Sequence, residues 1–326
     1  MFVRVAAAMA LGVTTLAVAP QLLPRAETTG TTYHHLLVTG QSVSQGLESV
    51  PALTLSQTRG HRMLQFDWVG QSRVYTTFGP LVEGGYPHDG ETIASAWANA
   101  TSEFAGPSFT AIVSRHGVSG YAYSQLAKGT APYADGLAQM NKAQQLLTAS
   151  GDEQVIDAVA VIHGDNDNVP YGQPTSYASY LMEWQADYEA DARAITGQSE
   201  PVVLLTDQLG AFQPTSAIPF AQLAASRQAP GKVVLVGPKY FLDYVGDGHI
   251  TNVSERLLGE YYAKVYDRVV LDGGSWTPLS PSSVTWCGAT VRARLHVPVS
   301  PVVFDTTAVN AAQDYGFEFA NATANP

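Results

Sequence analysis

Three stretches of this chain are apolar at consecutive positions rather than at every second one: the middle of "VIDAVAVIHG" (Val155 to Gly164), "PVVLLTD" (Pro201 to Asp207) and "KVVLVG" (Lys232 to Gly237). A strand with water on one face alternates in polarity. A strand apolar on both faces has to be covered twice, which is the condition of a parallel strand between two layers of helices. The segments between the strands fit that demand. "YADGLAQMNKAQQLLTASG" closes on Gly151, and 176–196 carries Tyr177, Tyr180, Leu181, Trp184, Tyr188, Ala192 and Ile195 on one helical stripe. "IPFAQLAASRQ" crosses between the last two strands. Upstream, "YHHLLVTG" and "SFTAIVSRHG" read as two more core strands, and the segment from Gly90 to Gly106 as a helix ended by glycine. "MLQFDWVG" and "RVYTTFG" read as short strands or an excursion. After His249, Asn252 and Glu255 stand at capping-box spacing and predict a helix start. The expected architecture is an α/β domain over 31–268, a doubly wound, mainly parallel sheet.

The two ends have a different texture. "MFVR" followed by the small-apolar run Val5 to Ala19 has the form of a signal peptide, so 1–26 is expected to be a signal peptide or N-terminal anchor and the mature protein to be secreted or held at the cell surface. Beyond 270 the helical period disappears, and alternating runs such as "TVRARLHV" predict a small β-rich module over 270–326, half a sandwich in form. The tail's "DYGFEF", Asp314 to Phe319, reads as a docking strand. With 45% hydrophobic and 14% charged residues, a packed core is expected. The net charge of −11 argues against nucleic acid and anionic membranes as partners. Cys287 is the only cysteine, which excludes an intramolecular disulfide, and the eight histidines lack metal-ligand spacing, so neither metal nor cofactor is expected.

In such a sheet, chemistry gathers beyond the carboxyl ends of the strands. Four ends carry suitable residues. "VTGQSVSQG" places Ser42 on the turn after the first strand, either as a helix N-cap or as a hydroxyl presented above the sheet. "SRHGVSGYAY" offers glycines at 117 and 120, where a backbone N–H can approach a ligand closely. "HGDNDN" places Asn166 between Asp165 and Asp167, either as a polar turn or as an amide able to donate to an oxyanion. "YVGDGHITN" ends on His249, with Asp247 two residues before it as an acceptor able to fix one tautomer.

The order of these blocks resembles that of the SGNH (GDSL-like) hydrolase superfamily, over about residues 33 to 268. "GQS" is similar to the Gly-Gln-Ser of its sialate O-acetylesterase and carbohydrate-esterase branch. The resemblance implies a serine esterase acting on acetylated sugar or polysaccharide. Ser42 would be the nucleophile and His249 the base, with the Ser42 N–H, the Gly120 N–H and the Asn166 amide as oxyanion donors. The superfamily places its acid three residues before the histidine; here position 246 is glycine, and the acid would be Asp247, with Asp243 or a plain Ser-His dyad as alternatives. Tyr121, Tyr123 and Tyr171 offer rings that could stack on a sugar or belong to the core. The other readings are a longer-chain GDSL lipase and a non-catalytic carbohydrate-binding protein on the same fold.

Overall fold

The computed structural model describes residues 30–85, 87–167, 177–210, 216–246 and 248–304. In chain order, β1 (Thr32–Gly40) is followed by a one-turn 3₁₀ helix (Ser42–Gln45), then β2 (Arg62–Val69) and β3 (Ser72–Pro80). Next come α1 (Ile93–Ala105), β4 (Ala111–Arg115), the short α2 (Tyr123–Leu126), α3 (Ala131–Ser150), β5 (Glu153–Ile162) and α4 (Tyr177–Thr196). The second half runs β6 (Val203–Gln208), α5 (Ile218–Gln228), β7 (Val233–Pro238), the two-residue strands β8 (Tyr244–Val245) and β9 (His249–Ile250), and α6 (Asn252–Tyr266). A π turn (Asp267–Leu271) extends α6, and β10 (Ser280–Cys287) pairs with β11 (Thr290–His296).

One seven-stranded sheet, ordered β3-β2-β4-β1-β5-β6-β7, forms the body. All its pairings are parallel except β2 with β3, so the excursion read in the sequence is a hairpin at one edge. β1 shows why both faces had to be apolar. Leu36 and Val38 pack with Trp97 of α1 and Tyr262 of α6, whereas Leu37 packs with Tyr133 of α3 and Trp184 and Tyr188 of α4. The chain thus winds in both directions from β1, and the crevice where the winding reverses is the expected ligand position.

α1 and α6 meet across a glycine. A Cβ on Gly259 would stand 2.7 Å from the Ala96 Cβ and 2.7 Å from the Ile93 carbonyl oxygen. The neighbours are largely backbone and cannot turn aside. Gly259→Ala is expected to cost about 1–3 kcal/mol through overpacking, read as a lowered urea midpoint with an unchanged slope.

One local expectation is corrected. α6 is capped by Thr251, whose hydroxyl accepts from the Ser254 N–H at 3.2 Å, so the cap lies one residue before Asn252. Glu255 then falls one position too late to close a capping box and turns inward, 3.5 Å from the Ser49 hydroxyl. The described part of the C-terminal region is a single hairpin whose strands are exposed on both faces. It joins the main body through Trp276, whose indole N–H donates to the Val236 carbonyl at 3.0 Å. The "DYGFEF" segment and 1–26 lie outside the described residues. Among the described residues no helix is long and apolar enough to cross a membrane.

Candidate active site

The turn carrying Ser42 forms because β1 ends in a glycine. A Cβ on Gly40, whose φ is +131°, would sit 2.0 Å from the Ile162 carbonyl oxygen, so β1 can hug β5 only without a side chain here. Ser42 comes two residues later, buried, as the first residue of a 3₁₀ helix of one turn, shorter than the helix start expected. Gly46, in the left-handed region, stops that helix.

Glu48 comes two residues later with φ +67°, the non-glycine residue at positive φ among the described residues. Such a backbone costs on the order of 1–3 kcal/mol for a side chain with a Cβ, and it persists where the surroundings demand it. The demand is visible. The Glu48 Oε2 lies 2.8 Å from the His249 Nδ1, and the next residue, Ser49, donates its hydroxyl to the Ile250 carbonyl at 2.8 Å. Glu48 and Ser49 together hold β9, which packs against the Ser42 helix. A carboxylate at Nδ1 accepts a hydrogen bond from Nδ1–H, favouring the tautomer that leaves Nε2 as the ring's basic lone pair.

The carboxylate on His249 is therefore one the sequence reading did not weigh. Asp247 lies outside the described residues. Asp243 is exposed, and its backbone serves the start of α6: its N–H donates to the Ser254 hydroxyl and its carbonyl accepts from the Thr251 N–H. Glu48 is about two hundred positions from His249, and no local pattern in the sequence marks it.

The loop after β5 places its three polar residues in alternating directions. Asp165 reaches down toward Lys239, with 3.9 Å between Oδ2 and Nζ. Asp167 accepts the Tyr123 N–H at 3.1 Å and lies 3.3 Å from the His163 Nε2. Asn166, between them, is anchored through its backbone N–H, which donates to the Gln41 Oε1 at 3.1 Å; the Gly164 N–H donates to the same oxygen at 3.3 Å. The Asn166 amide has no partner among the described residues. His163 is a buried support. Its Nε2–H donates to the Tyr121 carbonyl at 3.0 Å, its Nδ1 accepts from the Tyr177 hydroxyl at 2.7 Å, and burial pushes its pKa down to about 4.

The loop after β4 is fastened to the same turn. Gly117 passes so close that a Cβ would stand 2.2 Å from the Ser44 Oγ. The Val118 N–H donates to the Gly40 carbonyl at 2.9 Å. Gln45 donates to the Gly117 carbonyl at 2.5 Å and accepts from the Ser119 N–H at 2.9 Å. Gly120 follows with φ +72°. A cavity of about 250 Å³ opens beside this loop, lined among others by Gln45, Arg73, His88, Arg115, Gly117 and Ser119. Both guanidiniums are tied behind it, Arg115 to Glu83 at 2.9 Å and Arg73 to Asp135 at 2.5 Å.

Of the three tyrosines that could stack on a sugar or belong to the core, Tyr123 belongs to the core. It is buried and stacks on Tyr180 with ring centroids 4.1 Å apart. Tyr121 is half-buried at the core's margin, and Tyr171 lies outside the described residues. Among the described residues no group of three or more His, Cys, Asp or Glu side chains is placed to hold a metal ion.

The sheet order defines a doubly wound, mainly parallel α/β fold. Solved structures agree. The chain is similar to a protein from Arabidopsis thaliana, with TM-score 0.53 and 15% identity, covering 72% of this chain and 98% of that one. It is also similar to a carbohydrate acetylesterase from Xanthomonas citri, with TM-score 0.54 and 13% identity, covering 81% of this chain and 62% of that one. No family model and no curated protein matches the sequence.

Proposed function

We propose that the protein is a secreted serine esterase that removes acetyl groups from carbohydrate. Ser42 is the nucleophile, His249 the general base, and Glu48 the group that holds the imidazole in its working tautomer. His249 takes the Ser42 proton as the hydroxyl oxygen bonds to the ester carbonyl carbon. The resulting oxyanion is held by the Ser42 N–H, the Gly120 N–H and the Asn166 amide. His249 returns the proton to the departing sugar hydroxyl, and water, activated by the same imidazole, releases acetate from the acyl-enzyme.

The observation that carries this reading is the contact of the Glu48 carboxylate with the His249 Nδ1 at 2.8 Å, made from the turn that begins at Ser42. It supplies the imidazole with the acceptor it needs, from a backbone conformation maintained at a cost. The acetylesterase activity of the Xanthomonas citri protein agrees with this choice of ester.

A fluorophosphonate tests the assignment. The reagent is expected to add one phosphonyl group, found by peptide mass spectrometry on Ser42, and to stop p-nitrophenyl acetate hydrolysis in proportion to labelling. Labelling on another residue, or full turnover by the labelled protein, would sink the proposal. Acetate esters are expected to turn over faster than octanoate esters; the reverse order would favour a longer-chain lipase.

A further inference from the structure

Ser42 is flanked by two buried glutamines on one turn, Gln41 and Gln45, and each reaches a different loop. The Gln41 Oε1 accepts from the Gly164 and Asn166 N–H groups, so its part is that of an acceptor. Gln45 uses both ends of its amide, donating to the Gly117 carbonyl and accepting from the Ser119 N–H. These are the two loops that carry Asn166 and Gly120. A buried amide joined to two backbone groups of a neighbouring loop fixes that loop in position and in rotation, because breaking either contact leaves a polar group unpaired.

We infer that Gln41 and Gln45 are positioning residues that set the two oxyanion-donor loops from the nucleophile's own turn, Gln41 placing Asn166 and Gln45 placing Gly120. The inference rests on the esterase reading for its kinetic consequence, though not for its geometry. Ser42, the amide of Asn166 and the N–H of Gly120 then form one rigid unit, with the distances between nucleophile and donors fixed by two side chains four residues apart. The same close fit explains why Gly117 cannot carry a side chain, since a Cβ there would stand 2.2 Å from the Ser44 Oγ and 2.7 Å from the Gly40 carbonyl oxygen.

The test combines kinetics with amide exchange. Gln41→Met and Gln45→Met are each expected to lower kcat for p-nitrophenyl acetate by about ten- to a hundredfold while KM stays within about threefold, because the donors act on the transition state more than on the bound ester. A merely structural loss would leave kcat of the folded fraction unchanged, and that result would overturn the inference. Exchange separates the two glutamines. Gln41→Met removes the acceptor of the Gly164 and Asn166 amides and should deprotect those two while Ser119 stays protected, whereas Gln45→Met should deprotect Ser119 and leave the other two protected. Equal behaviour of the two methionine variants counts against the clamp.

If the variants do not fold, the wild-type protein still decides, since the Ser119 and Asn166 amides must be protected there despite lying in loops. If the wild-type protein hydrolyses no ester, the esterase reading fails, while the exchange pattern still judges the clamp on its own.

Discussion

Glu48→Gln is expected to lower kcat for p-nitrophenyl acetate by about 10²–10⁴-fold, and His249→Ala by on the order of 10⁴–10⁶-fold, with KM far less affected in both. The glutamine keeps the size and reach of Glu48 but loses the charge that stabilises an imidazolium. Its amide can also present N–H to Nδ1, which would fix the wrong tautomer. The effect should fall toward the lower end of its range, because Glu48 is half exposed and water can partly take its place at the ring. Asp247→Asn is the control that gives the result its meaning. If Asp247→Asn costs more than Glu48→Gln, the acid is Asp247 and the Glu48 contact is secondary.

The backbone at Glu48 adds a second readout that a simple surface carboxylate would not give. At φ +67° a glycine is unstrained, so Glu48→Gly should hold the thermal midpoint level or raise it while activity falls. Stability and activity moving in opposite directions would identify a residue kept in an unfavourable conformation for the sake of the site. A parallel fall of both would make Glu48 an ordinary structural residue.

The parallel sheet was legible because its physical demand is local. A strand covered on both faces has to be apolar at consecutive positions, and β5, β6 and β7 are, while the helices between them carry stripes matched to the sheet. The turns after β1, β4 and β5, which carry Ser42, Gly120 and Asn166, were legible as strand ends, where a doubly wound sheet gathers its loops. Glu48 was not, because its contact with His249 depends on a left-handed turn and on the Ser49–Ile250 hydrogen bond, neither of which leaves a mark in residue spacing. The α6 cap slipped by one residue for a related reason. Thr251 and Asn252 are both good cap residues, and the choice between them is made by tertiary contacts: the Asn252 amide is engaged by the Pro51 carbonyl at 2.8 Å. The roles of Asp165 and Asp167 likewise depend on partners from other strands, which a polar run cannot name.

Lys239→Met is expected to destabilise the protein by about 3–5 kcal/mol at neutral pH, because it leaves buried carboxylates without their cation. Lys239 is fully buried at the end of β7, with its Nζ 3.0 Å from the Asp207 Oδ2 and 3.9 Å from the Asp165 Oδ2. Burial disfavours the lysine's charge, but Asp207 and Asp165 outweigh it and hold its pKa above the ordinary lysine value. Asp165 is raised by burial, and Lys239 offsets this only in part. Without the cation, Asp165 loses the charge that offsets its burial, which lifts its folded-state pKa further above the unfolded value. A raised acid stabilises the fold below the unfolded pKa of about 4 and loses that contribution as pH climbs, by up to about 1.4 kcal/mol per pH unit per group. The gap in melting temperature between wild type and Lys239→Met should therefore be small near pH 4 and widen toward pH 7, and Lys239→Met/Asp207→Asn should recover part of it. A gap that stays constant with pH would mean the lysine contributes packing and not charge. Because Asp165 precedes Asn166 directly, the folded single variant should also show a lower kcat, linking the buried cation to the loop that carries Asn166.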